Sequence, residues 1–282
     1  MTRKYKKSNR PGFKQGEPPN HLGQHLLHNK KLILEIVERA EISDGETVLE
    51  LGAGQGALTV ALSQKAAKVL AIEYDPGFVE KLKQKTEQLA NVKVVRQDIL
   101  KLRLPKEAFL VVSNIPFSIT TPILKQLLSQ PATGLHRALL IMEKGAARRF
   151  TGTQVKDAYV LAWKMWFDFK FIKLIPRMNF APPPSVDSAL VRIDRKREPL
   201  VPYPERGVFL GLAEYALKSP YVSFDAVFSA FFTKPQLKIL RRDLAIDGAL
   251  TAIGALTPEQ WGKVHHALVR YVPRHRWPRA RK

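Results

Sequence analysis

Asn114-Ile115-Pro116-Phe117 brings together an amide side chain, a peptide carbonyl ahead of a proline, a rigid bend and an aromatic face. A flat nucleobase with an exocyclic amine suits that set. The Asn114 amide oxygen and the Ile115 carbonyl accept the two N–H hydrogens, Pro116 holds the bend, and Phe117 stacks on the ring. Accepting both hydrogens pulls the nitrogen toward tetrahedral geometry and exposes a lone pair otherwise delocalised into the ring. Such a site works by orientation and electrostatics. It needs no strong base, because a product ammonium loses its proton readily. The base must leave its stack to enter. Taken alone, the same four residues also make a strand-terminating turn with Phe117 in the core.

A second group precedes it. Glu50-Leu51-Gly52-Ala53-Gly54-Gln55-Gly56 joins an apolar run to a helical one. Glycines permit close backbone approach and positive φ, and the helix start supplies N–H groups and the positive end of a dipole. Gly52, Gly54 and Ala57 also satisfy the looser dinucleotide fingerprint, so the loop alone leaves NAD and S-adenosylmethionine equally open. Glu73 lies 21 positions after Gly52, the place of an acid that binds ribose hydroxyls. Asp98 offers an acceptor for an adenine amine, or a turn cap. A hydride-transfer enzyme usually carries a His or Lys acid, and none stands out.

These residues share a site only if one sheet edge collects them. The pattern predicts strands over 47–51, 69–72, 92–95, 109–112, 138–142, 171–175 and 189–193. Helical spacing alternates with them at 29–40, 57–64, 76–89, 122–128 and 158–169. Such alternation implies a mostly parallel, seven-stranded α/β sheet covered on both faces. Right-handed crossovers then place the carboxyl ends of all strands on one edge. Clear strands stop near Arg195, and a small all-helical domain is expected over 195–282, with helices at 208–217, 226–232, 235–244 and 258–271. The expected organisation is a basic arm over 1–18, a cofactor-binding catalytic domain over 19–194, and the helical domain.

The 282 residues include 46 Lys and Arg against 25 Asp and Glu, a formal charge of +21. That balance points to a polyanion; nucleic acid and anionic membrane both fit. No apolar run approaches the roughly 18 residues of a membrane span, and no apolar segment follows the basic N-terminus as a secretory signal would. A cytoplasmic protein is expected. The absence of cysteine excludes disulfides, thiolate zinc sites and cysteine nucleophiles, and no metal site is expected. The arm and the segment 195–282, with 16 Lys and Arg against 7 Asp and Glu, are expected to hold phosphates.

The ordered set of Val48 to Gly56, Glu73, Gln97-Asp98 and Asn114 to Phe117, preceded by His21 to Leu27 and followed by Phe180 to Ser188, resembles the rRNA adenine N6-methyltransferases. Within them it looks most like the erythromycin-resistance (Erm) methyltransferases. The resemblance implies a Rossmann-like class I methyltransferase sheet, S-adenosylmethionine as methyl donor, and N6 of one adenine in the peptidyl-transferase loop of 23S rRNA as acceptor. Methylation there blocks macrolides, lincosamides and streptogramin B. By position, His25, Leu27, Gly52, Gly54, Glu73, Asp98 and Asn114 match cofactor-contacting residues; Phe117 matches the stacking aromatic and Phe180 a second ring near the target base. A monomer is expected. The chain departs from the family in reading Gln24-His25-Leu26 where Gln-Asn-Phe is common. A small-subunit rRNA adenine dimethyltransferase shares this chemistry but typically reads Asn-Leu-Pro-Tyr. A non-catalytic RNA-binding factor on the same scaffold would not need the intact loop, Glu73 and Asn114 together.

Overall fold

The computed structural model describes residues 25–130, 132–248 and 250–280; the basic arm and His21 to Gln24 lie outside them. Nine strands are described: β1 (Leu26–Leu27), β2 (Thr47–Leu51), β3 (Lys68–Glu73), β4 (Val92–Arg96), β5 (Phe109–Asn114), β6 (Leu135–Glu143), β7 (Phe167–Ile175), β8 (Phe180–Ala181) and β9 (Ser188–Arg195). The helices among them are α1 (Lys30–Arg39), α2 (Ala57–Ser63), α3 (Pro76–Thr86), α4 (Thr120–Leu128), α5 (Lys144–Thr151) and α6 (Ala158–Trp163). After β9 the described chain continues as α7 (Arg206–Ala216), α8 (Phe224–Phe228), α9 (Lys234–Leu244) and α10 (Pro258–Tyr271).

Seven strands form one sheet in the order β4-β3-β2-β5-β6-β9-β7. Pairings from β4 through β6 are parallel. The strand order reverses between β2 and β5, and ligands bind outside strand carboxyl ends at such switch points. One expectation is corrected here: β9 runs antiparallel to both neighbours, so its carboxyl end lies on the opposite edge.

Strand residues alternate between two apolar layers. Leu49, Leu51, Phe109 and Val111 face one, with α4 residues such as Ile123 and Leu127. Val48, Leu110 and Val112 face the other, with Ile33 and Ile36 of α1 and Leu58 and Leu62 of α2. Burial on both faces is why these strands read as continuous apolar runs. The first layer continues into the C-terminal helices: Phe209 meets Trp166 and Trp261 edge-on, each at 6.5 Å between centroids.

Local differences have local causes. The helix expected over 158–169 ends at Trp163, because Phe167 and Phe169 pair with Arg195 and Ile193 on β9. Helix α5 was not anticipated; its Lys-Gly-Ala-Ala-Arg-Arg-Phe-Thr sequence buries only Ala147 and Phe150, too few apolar positions to show a period. The expected helix over 226–232 is instead the shorter α8, which begins two residues earlier.

Candidate active site

The carboxyl ends of β2, β3, β4 and β5 converge on a cleft of about 360 Å³. His25, Gly52, Gly54, Glu73, Asp98 and Asn114 all line it, as do Ile115, Pro116 and Phe117. Ladder register brings them together: Leu51 is level with Ile72, Glu73 with Arg96, and Ser113 Oγ ties β5 to β2 by donating to the Leu51 carbonyl at 2.5 Å.

The loop after β2 folds back on β3, with the Gly52 and Ala53 N–H groups both donating to the Ile72 carbonyl. Gly52 has φ +77, and a Cβ there would abut the Pro116 ring at 3.4 Å. The glycine loop and the Asn-Ile-Pro-Phe turn thus lie in contact range, and the positive φ at Gly52 is what favours glycine there. Gly54 has φ +54, and its Cβ would stand 2.8 Å from Leu26 Cδ2.

Glu73 is buried. Its Oε1 accepts from the Tyr74 and Asp75 N–H groups and its Oε2 from Gly54 N–H at 2.7 Å. These bonds fix the carboxylate's orientation, and leave Oε2 one further lone pair for a hydroxyl donor. Asp98 is a cap as well as a lining residue: Oδ1 accepts from Leu100 N–H at 2.9 Å.

Asn114 closes β5. Its Nδ2 donates to the His25 carbonyl at 2.7 Å, and its Oδ1 is buried without a hydrogen-bond partner. An orphaned buried acceptor costs free energy until a donor arrives, and this one sits beside the cleft. Phe117 is half-buried in the 3₁₀ turn after Pro116, its centroid 5.7 Å from the His25 ring. The His25 ring is held in turn by Nδ1, 2.9 Å from the Pro182 carbonyl.

The ribosomal RNA adenine dimethylase family model matches residues 19–266 of this chain. The chain belongs to that family. The enzyme is an S-adenosylmethionine-dependent rRNA adenine N6-methyltransferase on a class I methyltransferase fold. It is 52% identical to an rRNA adenine N-6-methyltransferase of Bacillus licheniformis over 100% of this chain and 98% of that protein. It is 34% identical to the ribosomal RNA small subunit methyltransferase A of Latilactobacillus sakei over 67% of each chain. Among solved structures, the 23S rRNA methyltransferase ErmE superposes with TM-score 0.78 at 27% identity, covering 86% of this chain and 99% of that one.

The residues of this methyltransferase fit its cofactor. Glu73 keeps a buried lone pair for a hydroxyl, and Tyr74, Phe78 and Ile99 give apolar walls for a purine. Sequence reasoning missed these three, although Tyr74 and Ile99 directly follow the two acids it singled out. Leu26, rather than Leu27, lines the cleft; Leu27 lies in the core layer beneath α1.

The expectation that Phe180 offers the methyltransferase a second ring at the target base is corrected. Phe180 is 1% exposed and packs in the layer that contains Leu27, Ile175 and Leu190. The β1–β8 pairing, with Leu27 opposite Phe180, fixes it there.

Glu50 is a further carboxyl that the motif reading passed over. It is buried on β2, takes a 2.6 Å hydrogen bond from Thr59 Oγ1, and burial pushes its pKa up to about 8, helped by the charge of Glu73. At neutral pH it is largely a neutral acid under the glycine loop. A charged residue type inside an apolar strand was the available signal.

Proposed function

We propose that this methyltransferase modifies N6 of one adenine in the peptidyl-transferase loop of 23S rRNA, and so confers resistance to macrolides, lincosamides and streptogramin B. The observation that carries the reading is the likeness to the 23S rRNA methyltransferase ErmE, at TM-score 0.78 over 86% of this chain. The enzyme acts as a cytoplasmic monomer, with segment 195–282 and the basic arm holding RNA phosphates.

The lining of the cleft supports the following roles. Glu73 receives ribose hydroxyls and Asp98 the cofactor's adenine amine, between the walls of Tyr74, Phe78 and Ile99. When bound, S-adenosylmethionine supplies an electrophilic methyl group. Phe117, half-exposed at the mouth, stacks on the extruded adenine. Asn114 Oδ1 accepts one N6 hydrogen and the Ile115 carbonyl the other, which turns the nitrogen lone pair out of the ring plane. The bond from Asn114 Nδ2 to the His25 carbonyl fixes which amide atom faces the substrate. No side chain takes the proton; the product loses it to water.

The test is methyl transfer from labelled S-adenosylmethionine to protein-free rRNA from each subunit, with primer extension to locate the adduct. A stop in the peptidyl-transferase loop, together with a raised erythromycin tolerance on expression in a sensitive bacterium, is the expected result. Label confined to small-subunit RNA overturns the reading in favour of the housekeeping branch.

A further inference from the structure

Cations on this molecule are treated in two ways. On the face formed by α1, β7 and β9 several are neutralised: Lys173 pairs with Glu35, and Arg192 with Glu41 and Asp194. Beside the mouth of the cleft they are not. Among the described residues, Lys125, Arg149 and Lys156 form no ion pair with a carboxylate and rest on hydroxyls and aromatic rings instead.

Their contacts make a continuous track. A hollow of about 300 Å³ adjoins the cleft and shares Phe117 and Ser118 with it. Arg149 and Glu143 line that hollow, and Arg149 Nη2 donates to Thr121 Oγ1 of α4 at 2.7 Å. One turn further along α4, Lys125 Nζ stands 4.1 Å from the Tyr159 ring centroid. Just before Tyr159, Lys156 Nζ stands 4.6 Å from the Tyr221 ring and donates to its hydroxyl at 3.2 Å. Tyr221 follows α7 and is 78% exposed. Two acids border the track: Glu143 lines the hollow, and Asp157 spends Oδ1 capping α6.

Here unpaired cations alternate with a half-buried ring, Tyr159, and an exposed one, Tyr221; single-stranded nucleic acid binds such surfaces, the cations meeting phosphates and the rings stacking on bases. We propose that this track holds the unpaired RNA strand flanking the target adenine: Arg149, Lys125 and Lys156 meet its phosphates, and Tyr159 and Tyr221 stack under its bases. A base replacing the ammonium over each ring frees that cation for the neighbouring phosphate. The inference rests on the rRNA-adenine reading of the cleft, though not on which subunit carries the adenine.

The test measures KM and kcat on protein-free 23S and 16S rRNA for Tyr159→Ala, Lys156→Ala and Tyr221→Ala. Tyr221→Phe and Lys68→Ala are the controls, Lys68 being an exposed cation at the amino end of β3. Tyr221→Ala is expected to raise the RNA KM roughly tenfold, the effect of losing one stacked base, with kcat at saturating RNA and the S-adenosylmethionine KM unchanged. Tyr221→Phe keeps the ring and stays near wild type, as does Lys68→Ala. Tyr221 is exposed, so its variant retains the fold; circular dichroism checks this. An unchanged RNA KM in both Tyr221→Ala and Lys156→Ala overturns the track. The RNA that wild type labels decides the subunit, and the variant-to-wild-type ratio on that RNA decides the track.

Discussion

The side-chain amide of Asn114 donates to the main-chain carbonyl of His25 at 2.7 Å, joining residues 89 positions apart. Reversing the amide would set two oxygens face to face, so this contact assigns its atoms. It leaves Asn114 Oδ1 buried and unpartnered. The segment around His25 therefore positions the acceptor proposed here to meet the substrate amine.

Asn114→Ala removes that acceptor and leaves Glu73, Asp98 and the glycine loop in place. The expected outcome is a fall in kcat of about 10²–10³, the usual effect of deleting one preorganised group at a transition state. S-adenosylmethionine affinity stays near wild type. Single-turnover methylation and calorimetric titration of the cofactor check the two halves; full activity would remove Asn114 from its assigned role.

Gly54→Ala places a methyl 2.8 Å from Leu26 Cδ2, on a backbone at φ +54 where L-residues are strained. Relief of that backbone strain is expected to shift the Gly54 N–H from Glu73 Oε2. Cofactor affinity is expected to fall at least tenfold, with a thermal midpoint lower by several degrees. Calorimetry on the folded variant separates binding from stability, and wild-type affinity would show that the loop tolerates a side chain.

Glu50 makes stability depend on pH. The folded carboxyl keeps its proton to about 8 against an ordinary value of 4.5, so between those values the folded state binds more protons than the unfolded. Its contribution therefore falls as pH rises through that window, by on the order of 5 kcal/mol in total. Glu50→Gln keeps an acceptor for Thr59 and does not ionise. Denaturant unfolding from pH 5 to 8 is expected to show the variant gaining on wild type as pH increases; a constant difference would mean that Glu50 is ionised throughout.

Arg270, Arg274 and Arg279 follow one another past the middle of α10 and into the exposed C-terminal segment. Replacing all three with Ala is expected to weaken rRNA binding and to flatten its salt dependence, by about 0.7 in the log–log slope for each contact to single-stranded RNA. Filter binding at several potassium concentrations reads that slope. If it does not change, the arginines hold no phosphate.

Much of the site was legible in the chain because its motifs sit at strand ends. Apolar runs locate β2, β3, β4 and β5, and parallel topology sends their following loops to one edge. Glu73, Asp98 and Asn114 are therefore readable as neighbours before any coordinate is known. Periodicity failed where tertiary pairing overrode it, as when β9 drew Phe167 and Phe169 out of a helix. It was silent where an element buries few apolar residues, as in α5.

The amino-acid sequence by itself determined the strand–helix alternation, the chemistry carried at each strand end, and the excess of cations that calls for a polyanion. These depend on residue type and local spacing. Tertiary structure alone decided that Phe180 lies in the core, because β1 pairs with β8 across the chain. It alone decided that Leu26 rather than Leu27 lines the cleft, since adjacent strand residues face opposite ways. And it decided which cations are free: Arg192 and Lys156 look alike in the chain, but only packing shows that one meets carboxylates and the other a tyrosine ring.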